Sequence, residues 1–346
     1  MALVADYGPE VGAGHISRCR GLIEHITTFE HFQLTCFLPN YGGELKWLNE
    51  LERKKQLYIQ KISFSRREVF SILLCDSYQD RVWNEVIGSR IHYKIPIIDQ
   101  DHEYKTRIVH GKAIILESFQ KFEMAIATPQ AVKKTMNSHD FDGLTGTLIW
   151  NEKMRELADS QENVLAAERK VVLSLGGSDL IKTETILIIN ALIALKKRNQ
   201  LEKIVTYAHV SIENEIQNKF GNLAGLKIEA FNEAFYGDMQ TCSLLICGSG
   251  TTALEAFHLG VPAVIVNLFS NASSNYMELQ KHYENALFVG RPNLSDGEYL
   301  VGLFERAITE LKRLKPNKKG VINGQDLKVF FDSVIEDESK QSMRLN

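Results

Sequence analysis

The chain has 346 residues, with 40 Lys+Arg against 43 Asp+Glu and a formal charge of −3. Apolar residues make up 44% and charged residues 24%, which supports ordinary hydrophobic cores in about two domains. The balanced charge argues against a nucleic-acid backbone as main partner, and without a run of 18 apolar residues no helical membrane span is expected. The five cysteines, Cys19, Cys36, Cys75, Cys242 and Cys247, are odd in number and form no C-x-x-C pair. That argues against a disulfide framework and a structural zinc. Residues 1–6 show no basic region leading into an apolar stretch, so we read a cytoplasmic protein.

Short apolar runs alternate with helical patterns along the chain. Residues 2–5 form the first strand candidate and end in the turn cluster Asp6-Tyr7-Gly8-Pro9. Gly12-Ala13-Gly14-His15 follows and opens a helical stretch over 16–23. Further strands are expected at 34–38, 71–75 and 95–98, with weaker patterns at 114–116 and 125–127. Residues 151–169 are polar, lack Gly and Pro, and read as a bridge. A new strand at 170–175 ends in Gly176-Gly177-Ser178-Asp179, before a helix over 183–198. Strands recur at 203–208, 226–230, 244–247 and 263–266, and a helix is expected over 251–259. The basic run from Lys312 to Lys319 reads as a solvated connection before a last helix over 325–335.

Strands alternating with helices imply parallel sheets with right-handed crossovers. The expected fold is α/β, GT-B-like, with two Rossmann-like domains and a cleft between them. The expected boundaries are 1–150 for the N-terminal domain, 151–169 for the bridge, 170–320 for the nucleotide-binding domain and 321–346 for a C-terminal helix and tail.

Three glycine-rich loops each follow a strand and precede a helix. Glycine lets a phosphate or sugar approach the backbone, and the first N–H groups of the helix favour an anion. In the first loop His15 stands at the helix start, where the dipole disfavours imidazolium. A neutral imidazole there can take a proton from water or a hydroxyl, or simply cap the helix. The second loop suits diphosphate contact, with Ser178 or Asp179 alternatively capping the next helix. The third, Gly248-Ser249-Gly250-Thr251-Thr252, is dense in donors. Glu255 lies one turn on, able to accept two ribose hydroxyls or to stand as an ordinary helix glutamate. Asp76-Ser77-Tyr78 and Asp99-Gln100-Asp101 close two strands, where α/β ligands bind and where turn residues also occur. His15 and Cys19 stand four apart without a convincing third ligand, so no metal is expected. His258, inside a helical pattern, reads as structural. Gly248-Ser249-Gly250 lacks the G-x-S-x-G spacing of a serine hydrolase.

These residues carry a likeness. The stretches Asp6 with Gly12-Ala13-Gly14-His15-Ile16-Ser17-Arg18-Cys19, Asp76-Ser77-Tyr78, Gly176-Gly177-Ser178-Asp179 and Gly248 to Glu255 occur in order. Leu259-Gly260-Val261-Pro262 and Asn323-Gly324 continue the series. Together they resemble the UDP-2,4-diacetamido-2,4,6-trideoxy-β-L-altropyranose hydrolases of pseudaminic acid biosynthesis and related spore-coat polysaccharide proteins. The second half also resembles MurG-like GT-B glycosyltransferases.

The resemblance implies a UDP-sugar substrate, His15 as the base that activates water, and Tyr78 and Asp76 positioning sugar or water. It implies substrate contacts at Asp6, Gly12, Gly14, Arg18, Gly176, Gly177, Ser178, Gly248, Ser249, Gly250, Thr251, Thr252, Glu255 and Asn275. No cofactor, metal or nucleic acid is implied, and a monomer is compatible with such a site. The alternatives are a MurG-like transferase using a UDP-sugar donor and a non-catalytic nucleotide-sugar binder. The chain departs from the hydrolase pattern at Tyr276, Gln100, Ser243 and Leu3-Val4.

Overall fold

The computed structural model describes residues 1–7, 14–43, 45–77, 79–91, 93–98, 111–115, 141–160, 169–176, 181–208, 210–268 and 273–344. In chain order its elements begin with β1 (Ala2–Ala5), α1 (Gly14–Arg18), α2 (Arg20–Ile26), β2 (Leu34–Phe37), α3 (Lys46–Arg53) and β3 (Leu57–Gln60). There follow β4 (Ile72–Asp76), α4 (Asp80–Gly88), β5 (Tyr93–Ile98), β6 (Gly111–Ile115), β7 (Phe141–Thr145), β8 (Leu148–Ile149) and α5 (Glu152–Ser160). The next stretch holds β9 (Lys170–Ser174), α6 (Lys182–Lys197), β10 (Lys203–Ala208), α7 (Val210–Phe220), β11 (Leu226–Ala230) and α8 (Ala234–Thr241). The chain ends through β12 (Leu244–Gly248), α9 (Thr251–His258), β13 (Ala263–Asn267), α10 (Ser273–His282), β14 (Ala286–Gly290), a 3₁₀ turn (Arg291–Ser295), α11 (Gly297–Glu310), β15 (Val321–Ile322) and α12 (Gly324–Arg344). The strand expected at 125–127 falls outside the described residues.

Two compact units result. The first holds β1 to β8 and regains the chain at Lys319, and the second holds Lys153–Lys318. Among the described residues the first carries a seven-stranded sheet of order β3-β2-β1-β4-β5-β6-β7. The second carries a six-stranded sheet of order β11-β10-β9-β12-β13-β14. Their paired strands run parallel, with Ala5 opposite Asp76 and Leu173 opposite Ile246. Parallel strands are covered on both faces, so their sequences run apolar without alternation. Leu73, Leu74 and Cys75 of β4 and Leu244, Leu245 and Ile246 of β12 are all buried. Each sheet reverses its strand order next to its first strand, between β1 and β4 and between β9 and β12. These are the places where open α/β sheets bind ligands, beyond the carboxyl ends of the strands.

Close backbone approaches lock the first unit. A Cβ on Gly146 would lie 2.6 Å from the Gly320 carbonyl oxygen, and one on Gly21 would collide with the Ile149 carbonyl. Between them β8 and β15 pair in parallel. Asn323 begins α12 with a reciprocal cap: its Oδ1 accepts from Gln325 N (2.9 Å) and Asp326 N (3.0 Å), while Asp326 Oδ2 accepts from Asn323 N (3.1 Å). A Cβ on Gly324 would come within 2.7 Å of the His25 ring. The Asn323-Gly324 pair therefore has a packing reason to be what it is.

In the second unit, Gly260 ends α9 at φ +61°, a conformation that favours glycine. His258 is fully buried beside Asn317, with Nδ1 2.6 Å from the Asn317 carbonyl. Burial pushes this imidazole down to about 4, so it is a neutral structural donor as expected. The basic run is more than a solvated connection. Arg313 is partly buried and donates Nη2 to the Met239 and Cys242 carbonyls (3.1 Å each), near the end of α8. Part of the expected bridge, Glu152–Ser160, is the helix α5.

Helix propensity alone favours alanine over glycine by about 1 kcal/mol. Gly302, exposed in α11 with no atom near its Cβ position, should obey this, and Gly302→Ala should raise the thermal midpoint. Gly21→Ala should lower it, through about 1–3 kcal/mol of overpacking against Ile149. Equal shifts from the two variants in melting experiments would contradict the packing assigned to α2.

Candidate active site

In the first unit Asp6 directly follows β1 and Asp76 is the last residue of β4, so both stand at the reversal of strand order. The Asp6 N–H donates to the Asp76 carbonyl at 3.1 Å, which extends the β1–β4 pairing beyond Ala5. Helix α1 presents His15 and Arg18, three residues apart and hence on one face, to Asp76. His15 Nδ1 lies 2.5 Å from Asp76 Oδ1. Arg18 Nε donates to Asp76 Oδ2 at 2.9 Å, and its Nη2 also donates to Oδ1. Cys19 Sγ donates to Oδ2 at 3.2 Å.

All four side chains are buried. Burial by itself would raise the Asp76 carboxyl, but the charge of Arg18, with the hydrogen bonds from His15 and Arg18, holds it well below the usual carboxylate range. Burial and then the Asp76 charge push the Cys19 thiol well up, so it stays a protonated donor.

This geometry assigns the imidazole tautomer. Arg18 Nη2 also stands 3.1 Å from His15 Nδ1, but one ring nitrogen cannot accept there while donating to Asp76. The shorter approach to an ionised carboxylate makes Nδ1 the donor, so in the neutral ring the lone pair lies on Nε2. The sequence based a neutral base on the helix dipole alone. Here the carboxylate of Asp76 orients the ring, in the manner of the aspartate in a hydrolytic triad. Nε2 lies 4.0 Å from Asp6 Oδ2. The other Asp6 oxygen accepts from Ser77 Oγ (2.8 Å) and Gln79 Nε2 (2.9 Å). Gln79 N–H donates to Ser77 Oγ (2.9 Å), and Trp83 Nε1 donates to the Ser77 carbonyl (2.7 Å).

Arg18, expected at the substrate, has its guanidinium on Asp76. The physical reason is the charge that β4 buries at its end. Gln79 was not singled out from the sequence, and only the fold brings its amide to Asp6, 73 positions away.

In the second unit the expected loops stand at the reversal between β9 and β12. Gly176 follows β9 at φ +130°, where side chains are disfavoured. A Cβ on Gly248 would lie 2.8 Å from the Leu175 carbonyl oxygen, so this glycine lets the two loops close on each other. Gly250 is the N-cap of α9, and no described atom lies within 4 Å of its Cβ position. Thr251 and Thr252 form the first turn of α9, and Ser249 is buried beside it. Glu255 is buried and accepts from Tyr236 OH at 3.0 Å, so the alternative of an exposed helix glutamate falls. Tyr236, in the first turn of α8, was not foreseen.

Gly12, Tyr78, Asp99, Gly177 and Ser178 lie outside the described residues, as does the side chain of Asn275 in α10. Gly14 opens α1. Among the described residues no helix is long and apolar enough to cross a membrane.

No family model matches the sequence, and no curated protein matches it. Solved structures do match. MurG of Acinetobacter baumannii is 14% identical at TM-score 0.53, over 95% of this chain and 97% of its own. UDP-GlcNAc 2-epimerase from Neisseria meningitidis, solved bound to UDP-GlcNAc, is 10% identical at TM-score 0.57, over 97% and 100%. Arabidopsis thaliana UGT89C1, solved with quercetin, is 12% identical at TM-score 0.57, over 89% and 90%. At these identities the likeness shows the fold. It is the GT-B class, with two Rossmann-like units in one chain.

Asp76→Asn should leave Arg18 buried without its counter-charge and cost about 3–5 kcal/mol near neutral pH. Because the Asp76 carboxyl is lowered by folding, its contribution should be constant from pH 7 to about 5. It should be lost only as the pH falls below the ordinary aspartate value of about 3.9. Urea unfolding of both proteins across that range checks the size and the sign.

Proposed function

We propose that this chain is a nucleotide-sugar enzyme that displaces a nucleoside diphosphate, UDP by preference, from the anomeric carbon of a sugar. The observation that carries this reading is the Asp76–His15 couple at the strand-order reversal of one Rossmann-like unit, in a chain of GT-B fold. His15 Nε2 takes the proton of the attacking O–H group, and Asp76 stabilises the imidazolium that forms. The new bond to the anomeric carbon forms on the face opposite the leaving group, so the centre inverts. The diphosphate departs with the electron pair of the broken C–O bond. The open N-cap at Gly250 and the first N–H groups of α9 offer it a preorganised anion site. Glu255, one turn on, is the group for the ribose hydroxyls, with Tyr236 holding its orientation. That the neighbouring epimerase was solved with UDP-GlcNAc supports a UDP-linked donor.

Transfer to an acceptor hydroxyl and transfer to water are the same displacement. The likeness in fold to MurG and UGT89C1 supports transfer to a hydroxyl. The Gly12-Ala13-Gly14-His15…Arg18-Cys19 segment supports hydrolysis of a UDP-linked diacetamido-trideoxy sugar in surface polysaccharide or pseudaminic acid-type biosynthesis, as does the burial of His15.

A panel of UDP- and CMP-sugars, with and without added sugar acceptors, tests the proposal through nucleotide release and product analysis. UDP release is expected from at least one donor, and none from any donor would overturn the reading. His15→Ala should lower kcat roughly 100-fold or more while UDP affinity by calorimetry stays within about twofold. Glu255→Ala should weaken UDP binding by about tenfold or more, since a charge-assisted hydrogen bond is lost. Unchanged UDP affinity would remove Glu255 from the ribose.

A further inference from the structure

We infer that the second unit carries a further binding site, for a small zwitterion of the free amino acid class, at the amino ends of its central strands. This site is separate from the candidate active site and does not depend on the proposed displacement.

A cavity of about 560 Å³ opens there, within the roughly 300–1,000 Å³ of sites that hold small organic molecules. Arg169, Glu202 and Ser243 line it, and each stands directly before one of the adjoining strands β9, β10 and β12. Glu305, Ile308 and Thr309 come from one face of α11, at helical spacings of three and four. Gln200 joins them from the turn between α6 and β10. Strands β9 and β12 carry Gly176 and Gly248 at their other ends, roughly 15 Å away for strands of five residues.

The lining holds charges of both signs that are not spent on each other. Lys170 pairs with Lys203, so Arg169 and Glu202 are neighbours at two strand starts. The Glu202 N–H donates to the Arg169 carbonyl at 3.0 Å. Their side chains nonetheless form no ion pair. Arg169 Nη1 donates to the Asn199 carbonyl at 2.8 Å, which leaves the guanidinium further N–H donors. The Glu202 carboxylate has no partner among the described residues.

Gln200 adds an acceptor whose orientation is set. Its Nε2 donates to Glu305 Oε1. The reverse orientation would press the amide oxygen against that carboxylate, so Oε1 faces away from it. Gln200 Oε1 is enclosed and has no donor. A buried acceptor left so costs stability that a bound N–H group restores. The hydroxyls of Ser243 and Thr309 donate to the Lys170 and Glu305 carbonyls, at 2.8 and 2.9 Å. Both therefore present lone pairs to a ligand. Apart from Arg169, the polar side chains of the cavity are acceptors.

One ligand chemistry answers this set. An ammonium group brings three N–H donors for Gln200 Oε1 and the carboxylates of Glu202 and Glu305. A carboxylate on the same molecule takes the remaining donors of Arg169, in the forked geometry that a guanidinium favours. A plain amine would leave Arg169 without a counter-charge. A plain anion would confront two glutamates. Ile308 offers an apolar contact to the rest of the molecule.

Thermal melting in the presence of each standard amino acid in turn tests the site. At about 10 mM, at least one should raise the midpoint by about 2 °C or more. The N-acetyl and carboxamide derivatives of that amino acid each lack one charge and should give no comparable rise. By calorimetry, Arg169→Gln and Glu305→Gln should each weaken its binding about tenfold or more. A crystal structure with the amino acid should show its carboxylate at Arg169 and its ammonium at Glu305 or Gln200. No rise with any amino acid would overturn the site. So would equal stabilisation by either derivative or by putrescine, wild-type affinity in both variants, or electron density for the amino acid only elsewhere.

Discussion

The interaction on which the first unit's candidate site depends is the ionised carboxylate of Asp76, buried at the end of β4. A lone carboxylate in that position would be costly to desolvate. It is tolerated because Arg18 gives it two charge-assisted hydrogen bonds, His15 a third and Cys19 a weak fourth. The same bonds do mechanical work on a helix of only five residues, α1, which has little intrinsic stability of its own. Asp76 ties that helix to the most buried part of the sheet. The imidazole it orients is therefore set by the core rather than by a loop.

The two units solve different electrostatic problems with one topology. Each reverses its strand order beside its first strand, and each places its distinctive residues beyond that point. The first unit puts carboxylates there, Asp6 and Asp76, and Asp76 orients the imidazole of His15. The second puts glycines and hydroxyls there, ahead of a helix start. An anion can be met by the partial positive charge of backbone N–H groups, so it needs no lysine or arginine cluster. A net charge of −3 is therefore compatible with the proposed anionic substrate, because a complement carried by backbone N–H groups does not enter the residue count.

What the sequence made legible follows from how local the signal was. Buried parallel strands announce themselves as apolar runs, so β1, β2, β4, β9, β10, β12 and β13 could all be read within a residue or two. Strand β3, Leu57-Tyr58-Ile59-Gln60, could not, because it is a sheet edge with Tyr58 exposed and the run is broken. The two-residue strands β8 and β15 pair Leu148 and Ile149 with Val321 and Ile322, and no local pattern encodes a partner that far along the chain. The same limit explains the site. His15 and Asp76 could each be noted at a strand or helix end. That Arg18 belongs to Asp76, and Gln79 to Asp6, depends on contacts across 58 and 73 positions.

Glycine-rich motifs mix two physical demands that the structure separates. At Gly248, Gly21 and Gly324 the space a side chain would take is already filled, by the Leu175 carbonyl, the Ile149 carbonyl and the His25 ring. Those glycines are required by packing, and any chain with these close approaches would need them whatever it binds. At Gly176 and Gly250 no described atom stands within 4 Å of the Cβ position, although both sit at the carboxyl ends of the central strands. Openness alone does not mark a binding glycine, since Gly237, Gly297 and Gly302 are equally open on helices. Openness combined with a place at the strand-order reversal is the more selective criterion, because open α/β sheets receive ligands there. By that criterion the Gly248-Ser249-Gly250 loop divides within itself. Its first glycine lets β12 approach the end of β9, and at its second, the N-cap of α9, no described atom fills the place of a side chain.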